Sequence, residues 1–286
     1  MTLSLTRCPA PAKLNLFLHV NGRRSDGYHL LQTVFQLIDR CDYLDAEVTD
    51  DGRITRTNDV PGVPEDSDLI VRAARLLQQH TNCQLGARLT LHKTLPMGGG
   101  LGGGSSDAAT TLMALNALWQ TGLSQQELMR ISVQLGADVP FFLFGENAFA
   151  EGIGEELQPV QTPDCWYVVI EPGVHVPTPA IFSSDLLTRD TKPVKITDFP
   201  ADEFVKWKND LQSVACLLYP EVDKAVKWLN QFGAAKMTGS GACVFCAVSD
   251  ESEADKIITQ HEGSWKLWKA KSLSIHPMMK KLQTRD

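Results

Sequence analysis

A run of six glycines in seven positions, residues 98–104, most constrains how this chain can fold. Each glycine loses more conformational entropy on folding than any other residue, so a folded protein keeps such a run only where the backbone must be bare. The run lies between a predicted strand at 87–92 and a predicted helix at 107–120. A strand, a glycine loop and a helix opened by Ser105 and Ser106 form an anion site, because backbone N–H groups and the helix N-terminus converge on phosphate oxygens.

Composition and charge narrow the class of protein. The chain has 286 residues, of which 43% are hydrophobic and 21% charged, and these values are typical of a soluble folded protein. Its net charge of −7 argues against general nucleic-acid binding, since that function needs a basic face. The apolar runs are shorter than a membrane span, and the first residues lack the apolar core of a signal peptide. Seven scattered cysteines do not resemble a disulfide framework, so we expect a cytoplasmic protein with reduced thiols and no membrane partner.

One pair of cysteines has the C-x-x-C spacing of metal and redox sites. Cys243 and Cys246 lie in an apolar stretch with strand character, where residues three apart point to opposite faces. No second pair stands at metal-ligand spacing. We therefore expect two buried thiols that bind no metal.

Helical and extended patterns alternate along the chain. Residues 12–20 alternate as a strand, and Ser124 with Glu127 forms a capping box that opens a further helix. The other predicted elements are helices at 68–80, 204–218 and 222–232, and strands at 166–170 and around Cys243 and Leu267.

A change in character at residues 160–164 divides the chain. The glycine run lies before it, and no run of comparable density follows it. We expect a two-domain α+β fold, with domains at residues 1–161 and 162–286.

Three known phosphate loops do not fit the glycine run. Walker A needs a lysine directly after the glycines, and none follows. Gly98, Gly100 and Gly103 match the dinucleotide fingerprint formally, but no acidic residue at the end of a second strand, about 20 positions on, supports it. The protein-kinase motifs V-A-I-K, H-R-D and D-F-G are absent. A flexible hinge is the other alternative, and Pro96 before the run and the capped helix after it argue against a hinge.

The glycine run does resemble a fourth kind of loop. Residues 96–109 resemble the P-x-x-x-G-L-G-S-S-A-A loop of the GHMP kinases, a family that phosphorylates small alcohols with ATP. Residues 11–16 resemble the N-terminal motif of that family, and residues 236–242 resemble its third, glycine-rich motif. Three motifs in the family's order imply its two-domain α+β fold, with a ribosomal S5 domain 2-like N-terminal domain and a ferredoxin-like C-terminal domain.

The resemblance implies that ATP, together with Mg²⁺, binds along the loop. The implied ATP-binding residues are Pro96, Met97, Gly98, Gly99, Gly100, Leu101, Gly102, Gly103, Gly104, Ser105 and Ser106. Ser105 and Ser106 either cap the helix or contact the γ-phosphate and Mg²⁺, with Ser106 as the candidate metal ligand. Lys93 either contacts the nucleotide or is a solvated charge at the end of a strand. Asp68 stands where the family often has Asn, so an adenine contact through that amide is lost here.

Three further segments resemble one branch of the family. Residues 22–29, 135–142 and 177–182 are similar to a branch that phosphorylates the 2-hydroxyl of a cytidine-diphosphate sugar alcohol in the non-mevalonate isoprenoid route. The implied substrate-binding residues are Asn15, Tyr28, His29, Thr178 and Phe182. Spacing alone favours ordinary loop residues at Tyr28 and His29 and a core residue at Phe182. The resemblance instead implies that these three residues recognise the cytosine base.

Lys13 and Asp138 are the candidate catalytic residues. Lys13 lies within an apolar predicted strand, where a buried ammonium needs a partner, and Asn15 points to the same side. Asp138 follows Gly136 and precedes apolar residues at a predicted helix-to-strand junction, where it either faces solvent or belongs to a site. Paired with Lys13, it would stay ionised and accept the proton of an alcohol during phosphoryl transfer.

Two other functions remain as alternatives. Another GHMP small-alcohol kinase would give no reason for the Asp-Gly-Tyr-His segment at 26–29. A nucleotide-binding regulator without catalysis would lack Lys13 or Asp138, and both are present. We expect a kinase that acts as a monomer or a weak homodimer.

Overall fold

Two long antiparallel strands, β1 (Ser4–Arg23) and β2 (His29–Thr49), form the centre of the fold. The structure is a computed structural model that describes residues 3–195, 197 and 207–284. The two strands pair along nearly their whole length, with bulges that include one between Asn15 and Leu18. β1 extends well beyond the predicted strand at 12–20, because pairing with β2 gives backbone partners to residues whose own pattern does not alternate.

The other described strands extend this pair into a sheet with the order β3-β4-β2-β10-β7-β9-β8, while β1 and β5 also pair with β2, and β6 pairs with β5. They are β3 (Ile54–Arg56), β4 (Gly86–His92), β5 (Ala148–Glu151), β6 (Glu156–Pro159), β7 (Trp166–Glu171), β8 (Lys236–Met237), β9 (Val244–Val248) and β10 (Lys266–Leu273). β10 pairs with both β2 and β7, so the sheet runs without a break from the first half of the chain into the second.

Helices cover the sheet in two groups. Those described are α1 (Leu69–Thr81), α2 (Gly103–Leu118), α3 (Gln125–Ser132), α4 (Val139–Phe144), α5 (Thr178–Phe182), α6 (Gln212–Leu218), α7 (Pro220–Leu229), α8 (Glu251–Thr259) and α9 (Pro277–Gln283). The buried side chains of α1 to α4 belong to one core with β2 and β4, and those of α6 to α8 belong to a second core with β7 and β9. The predicted boundary between residues 161 and 162 lies between β6 and β7, and it stays a prediction.

Local capping signals were good guides to where several helices begin. Asp68 caps α1 by accepting a hydrogen bond from the Ile70 backbone at 3.1 Å, and Ser124 with Glu127 forms the predicted capping box of α3. The predicted helix at 204–218 lies partly outside the described residues, and its described part is α6.

Two predictions at the candidate site are wrong. α2 begins at Gly103 and not at residue 107, because Gly102 takes a left-handed conformation (φ 72°) as its N-cap. Ser105 therefore lies inside the first turn and does not cap the helix. Asp138 precedes helix α4 and not a strand, since Pro140 fits the first turn of a helix and the apolar run after it suits either structure.

The C-x-x-C pair has the predicted burial and lies on opposite faces of its strand. Cys243 and Cys246 are both buried, and they belong to different hydrophobic clusters, as expected for opposite faces of a strand. None of the seven cysteines forms a disulfide bond. Among the described residues, no group of histidine, cysteine and acidic side chains is arranged to hold a metal ion. None of the described helices combines the length and the apolar character needed to cross a membrane.

A buried histidine ties the end of the chain to the first core. His276 is 0% exposed, and its Nδ1 accepts a hydrogen bond from the Met278 backbone at 3.1 Å, which caps α9. Burial away from water disfavours the charged ring and lowers the pKa of His276 to about 3. The unfolded chain takes up a proton near the ordinary pKa of 6.5, so His276 lowers stability as the pH falls from about 6.5 towards 3.

We predict that His276→Asn flattens the loss of stability in acid. Asparagine keeps the cap, because its side-chain oxygen can accept from the same N–H, but it binds no proton. Between pH 7.5 and pH 5 the free energy of unfolding should fall by about 2 kcal/mol less than in the wild type. Urea unfolding at the two pH values measures this difference. Exposed His80, changed to Asn, is the control, and equal acid losses in wild type and His276→Asn would contradict the prediction.

Candidate active site

The glycine loop between β4 and α2 is docked onto the sheet through its own backbone. The carbonyl of Leu101 accepts a hydrogen bond from the Lys13 N–H at 2.9 Å, and the carbonyl of Gly99 accepts one from the Cys243 N–H at 3.1 Å. Strand β1 and the segment just before β9 therefore hold the loop from two sides.

Thr238 supplies a third attachment for the loop. Its fully buried hydroxyl donates to the carbonyl of Gly100 at 3.1 Å and accepts from the backbone N–H of Asn15 at 3.0 Å. One side chain thus satisfies the loop and β1 together. It joins segments that lie far apart in the sequence.

Close approach explains why two of the loop glycines must be bare. At Gly100 (φ 75°) a Cβ would lie 2.1 Å from the carbonyl oxygen of Thr238. At Gly102 (φ 72°) it would lie 2.9 Å from the ring of Phe142 and 3.1 Å from Cγ of Lys13. The glycines thus serve the docking of the loop itself, and the sequence had suggested only close approach of a ligand.

Two cavities lie on either side of this loop. The larger has a volume of about 920 Å³ and the smaller about 360 Å³, and Gly98, Gly100 and Gly102 line both. Of the predicted site residues, the larger cavity is also lined by Lys13, Asn15, Tyr28, His29, Asp138, Thr178 and Phe182. The smaller cavity is also lined by Lys93, Pro96, Met97, Gly99, Leu101, Gly103, Gly104 and Ser105. Ser106 lines neither cavity.

The first turn of α2 faces the smaller cavity. The N–H groups at the start of a helix have no partners within the helix, and the helix dipole makes that end partly positive. Gly104 is exposed here, and Ser105 is half-buried. The arrangement suits an anionic group placed between the loop and the helix end.

Lys13 and Asp138 form an ion pair at the wall of the larger cavity. The Lys13 ammonium lies 3.6 Å from Oδ2 of Asp138 and donates to Oδ1 of Asn15 at 2.6 Å. Lys13 is 3% exposed and Asp138 is 33% exposed, so the lysine is held inside and the carboxylate reaches the cleft. Burial lowers the pKa of Lys13, and attraction to Asp138 opposes that effect.

Lys93 lies beneath the other side of the loop, between two carboxylates. Its ammonium pairs with Asp42 and lies 2.9 Å from Oδ2 of Asp107. Burial acts to lower the pKa of Lys93, but the two carboxylates outweigh it and raise that pKa above its ordinary value. Burial and the charge of Asp42 act to raise the pKa of Asp107, and the Lys93 ammonium opposes that rise. Lys93 is therefore not a solvated strand end; it is a paired cation at the edge of the smaller cavity.

The predicted base-recognition residues lie together in the wall of the larger cavity. The rings of His29 and Phe182 lie with their centroids 4.9 Å apart and their planes tilted by 34°. Tyr28 is 60% exposed, and Thr178 shares a 2.6 Å hydrogen bond with Ser240. A planar ligand can reach all of these side chains from the cleft.

Comparison with known proteins identifies the family in which this arrangement of residues occurs. The model of the GHMP kinases N terminal domain matches residues 68–146, and that of the GHMP kinases C terminal matches residues 198–266. The chain is 64% identical to the 4-diphosphocytidyl-2-C-methyl-D-erythritol kinase of Janthinobacterium sp. (strain Marseille), over 97% of this chain and 98% of that one. It is 63% identical to the protein of the same name from Herminiimonas arsenicoxydans, over 97% and 98% of the two chains.

Solved structures agree with the sequence matches. A crystal structure of 4-(cytidine 5'-diphospho)-2C-methyl-D-erythritol kinase superimposes with a TM-score of 0.82 at 33% identity, covering 94% of this chain and 99% of that chain. The chain belongs to the GHMP kinase family. A homoserine kinase from Cytophaga hutchinsonii shares the fold with a TM-score of 0.71 at 16% identity, covering 96% of each chain.

The three GHMP kinase motifs predicted from the sequence meet around the glycine loop. The first motif contributes Lys13 and Asn15, and the third contributes Thr238. The glycine pattern of the third motif does not by itself mark this threonine as a site residue. Two further residues were not predicted: His175, whose ring would lie 2.7 Å from a Cβ at Gly98, and Arg189, which donates a hydrogen bond to His29. No local pattern marks the last two residues, because their roles depend on contacts across the cleft.

We predict that Thr238→Val loosens the loop, whereas Thr238→Ser does not. Valine has nearly the same shape but leaves the Asn15 N–H and the Gly100 carbonyl without their partner, at a cost of about 1–3 kcal/mol in the free energy of unfolding. Serine keeps the hydroxyl and should lose much less. Urea unfolding of the two variants measures the difference. Equal stability of the two variants would mean that the hydroxyl does not hold the loop.

Proposed function

We propose that the chain transfers the γ-phosphoryl group of ATP to the 2-hydroxyl of 4-diphosphocytidyl-2-C-methyl-D-erythritol, giving the 2-phosphate and ADP in the non-mevalonate isoprenoid precursor pathway. The single observation that carries the proposal is that the glycine loop forms a wall shared by two cavities. One cavity has the features of a phosphate site, and the other holds an ion pair beside an aromatic pocket. The names of the relatives at 56–64% identity support the choice of substrate.

ATP is placed in the smaller cavity, with its phosphates against the loop and the first turn of α2. Backbone N–H groups and the helix end supply most of the positive potential there. Lys93 is already paired with Asp42 and Asp107, so it adds less charge than a free lysine would. In this proposal its role is to hold the start of the loop beside the nucleotide.

The residues present are compatible with Mg²⁺ held mainly by the phosphates. Mg²⁺ commonly keeps several waters and binds through one or two protein oxygens and substrate phosphates. The Oγ of Ser106, the predicted metal ligand, has no hydrogen-bond partner among the described residues, but it is buried and lines neither cavity. The half-buried hydroxyl of Ser105 is the more accessible of the two. Bound there, the ion would neutralise charge that develops on the phosphates.

Asp138 and Lys13 act on the acceptor alcohol. Asp138 reaches the cleft and can accept a hydrogen bond from the attacking hydroxyl, orient it and take its proton. Lys13 stabilises the carboxylate, and its position is fixed by Asn15 and by the Leu101 carbonyl. Phosphoryl transfer asks mainly for positioning and charge stabilisation, and both are available at this wall of the cavity.

The cytosine base is placed at the other end of the larger cavity. Tyr28 and Phe182 offer aromatic faces, and base stacking on such rings contributes about 1–3 kcal/mol for each base. His29 offers a ring nitrogen to the edge of the base, and Thr178 lies alongside. Cytoplasmic location and a monomeric or weakly dimeric state stay predictions.

We predict strong selectivity among small alcohols in an assay of ADP release. The value of kcat/KM for 4-diphosphocytidyl-2-C-methyl-D-erythritol should exceed those for homoserine, mevalonate and galactose by at least about a thousandfold, because a site built for hydrogen bonds rejects ligands that leave them unmade. A comparable value with one of the other alcohols would favour the alternative small-alcohol kinase. No ADP release with any of them would favour the non-catalytic regulator.

We predict that Asp138→Asn lowers kcat by about 10²–10⁴-fold. The amide has a similar shape but cannot take the proton and leaves Lys13 without its counter-ion. ATP affinity, measured by calorimetry, should be nearly unchanged, because the loop is not altered. Asp164→Asn is the matched control, since that side chain is 79% exposed, where it pairs with Lys271 and accepts a hydrogen bond from the Ser272 hydroxyl. Turnover close to that of the wild type would remove Asp138 from the catalytic residues.

A further inference from the structure

Arg189 is held in one position by the segment that follows α5. Its Nη2 donates to the carbonyls of Phe182 and Ser184, both at 2.8 Å, and its Nη1 donates to the carbonyl of Leu187 at 3.1 Å. Three backbone acceptors thus fix the plane of the guanidinium. The remaining Nε–H points at the ring of His29 and lies 3.1 Å from its Nε2.

This contact determines which nitrogen of His29 carries the proton. A guanidinium has five N–H donors and no acceptor, so Nε2 of His29 must accept. A neutral imidazole has one donor and one acceptor, and the proton therefore lies on Nδ1. Nδ1 has no hydrogen-bond partner among the described residues, and His29 lines the larger cavity. Its N–H is available to a ligand.

We propose that Arg189 is a positioning residue that fixes His29 as an Nδ1–H donor and thereby selects cytosine over uracil. The proposal rests on the proposed function, because it explains how the base of that substrate is chosen. N3 of cytosine has no hydrogen and accepts a hydrogen bond, whereas N3 of uracil carries a hydrogen and donates. An Nδ1–H that can only donate matches the N3 acceptor of cytosine. Against uracil it would place two N–H groups face to face.

Local charge supports the neutral ring that this scheme needs. Burial lowers the pKa of His29, and the positive charges of Arg189 and Arg23 lower it further. A protonated ring would donate from both nitrogens, and its Nε2–H would then oppose the N–H of Arg189. His29 is 8% exposed, so solvent does little to relieve that repulsion.

A purely structural role for Arg189 makes different predictions. Its hydrogen bond to the Phe182 carbonyl also holds α5, and the Phe182 ring lies beside that of His29. If Arg189 only held that segment, its loss would weaken binding of cytidylyl and uridylyl compounds alike and would leave the tautomer of His29 unchanged. The experiments must therefore read the tautomer and the base preference as well as activity.

The first experiment reads the tautomer by ¹⁵N NMR of the histidine rings, with His29 assigned from the signals lost in His29→Asn. In the wild type, Nδ1 should have the shift of a protonated nitrogen and Nε2 that of an unprotonated one. In Arg189→Met the proton should move towards Nε2, the position preferred by free neutral histidine. An Nε2–H tautomer in the wild type, or the same Nδ1–H tautomer in Arg189→Met, would overturn the proposal.

The second experiment measures base preference. In Arg189→Met the KM for the cytidylyl substrate should rise about tenfold, roughly the value of one hydrogen bond, with kcat and the KM for ATP within about twofold. The KM for the uridylyl analogue should stay within about twofold, so discrimination falls about tenfold. Arg88→Met is the control, because Arg88 is exposed on β4 and pairs with Glu47. Equal rises in KM for both compounds would overturn the proposal.

A double-mutant cycle with His29→Asn separates tautomer control from support of the segment. The amide nitrogen of Asn can take roughly the place of Nδ1, and it is a donor whether or not Arg189 is present. In the His29→Asn background, Arg189→Met should therefore change the cytidylyl KM by less than about threefold. A full tenfold effect there would show that Arg189 acts only through the segment, and it would overturn the proposal.

The wild-type enzyme distinguishes failure of this proposal from failure of the proposed function. If the wild type shows no preference for the cytidylyl substrate, both the proposed function and this proposal fail. If that preference is present and the tautomer of His29 does not depend on Arg189, only this proposal fails.

Discussion

Docking of the glycine loop onto β1 is the constraint on which the rest of the site depends. The Lys13 N–H holds the loop carbonyl, while the side chain of the same residue pairs with Asp138. A single residue therefore places the glycine loop and the Asp138 carboxylate relative to each other. Thr238 adds a buried hydroxyl between Gly100 and β1, and this contact brings the second half of the chain into the site. The loop can act as the wall of two cavities because it is attached on both sides.

Buried charge surrounds this loop on both of its faces. Lys13 pairs with Asp138 on one side, and Lys93 pairs with Asp42 and Asp107 on the other. Such buried pairs add little net stability, because removing the charges from water costs about as much as their attraction returns. Their value here is positional. Each pair fixes a charge within a few ångströms of the loop, and each would be costly to break by removing one partner.

Local chemistry made a large part of this protein predictable. Glycine density, the residues flanking it and the capping box at Ser124 each depend on a few neighbouring residues, so the sequence alone located the loop and several of the described helices. The prediction for Asp138 was wrong because an apolar run of six residues suits a strand or a helix equally, and packing decided for α4. The start of α2 was missed because glycines have low helix propensity, and only the docked loop holds them in a helical turn.

Short motifs in the sequence indicate the family, the position of the glycine loop and the chemical types of the residues beside it. Tertiary structure alone decided which side chains those residues meet. Lys93 could be solvated or bound to nucleotide until the fold placed it between two carboxylates. The partner of His29 lies 160 residues away at Arg189, and no local pattern could indicate it. The physical reason is that a proton's position on an imidazole is set by the donor facing it, and that donor is chosen by the folding of the whole chain.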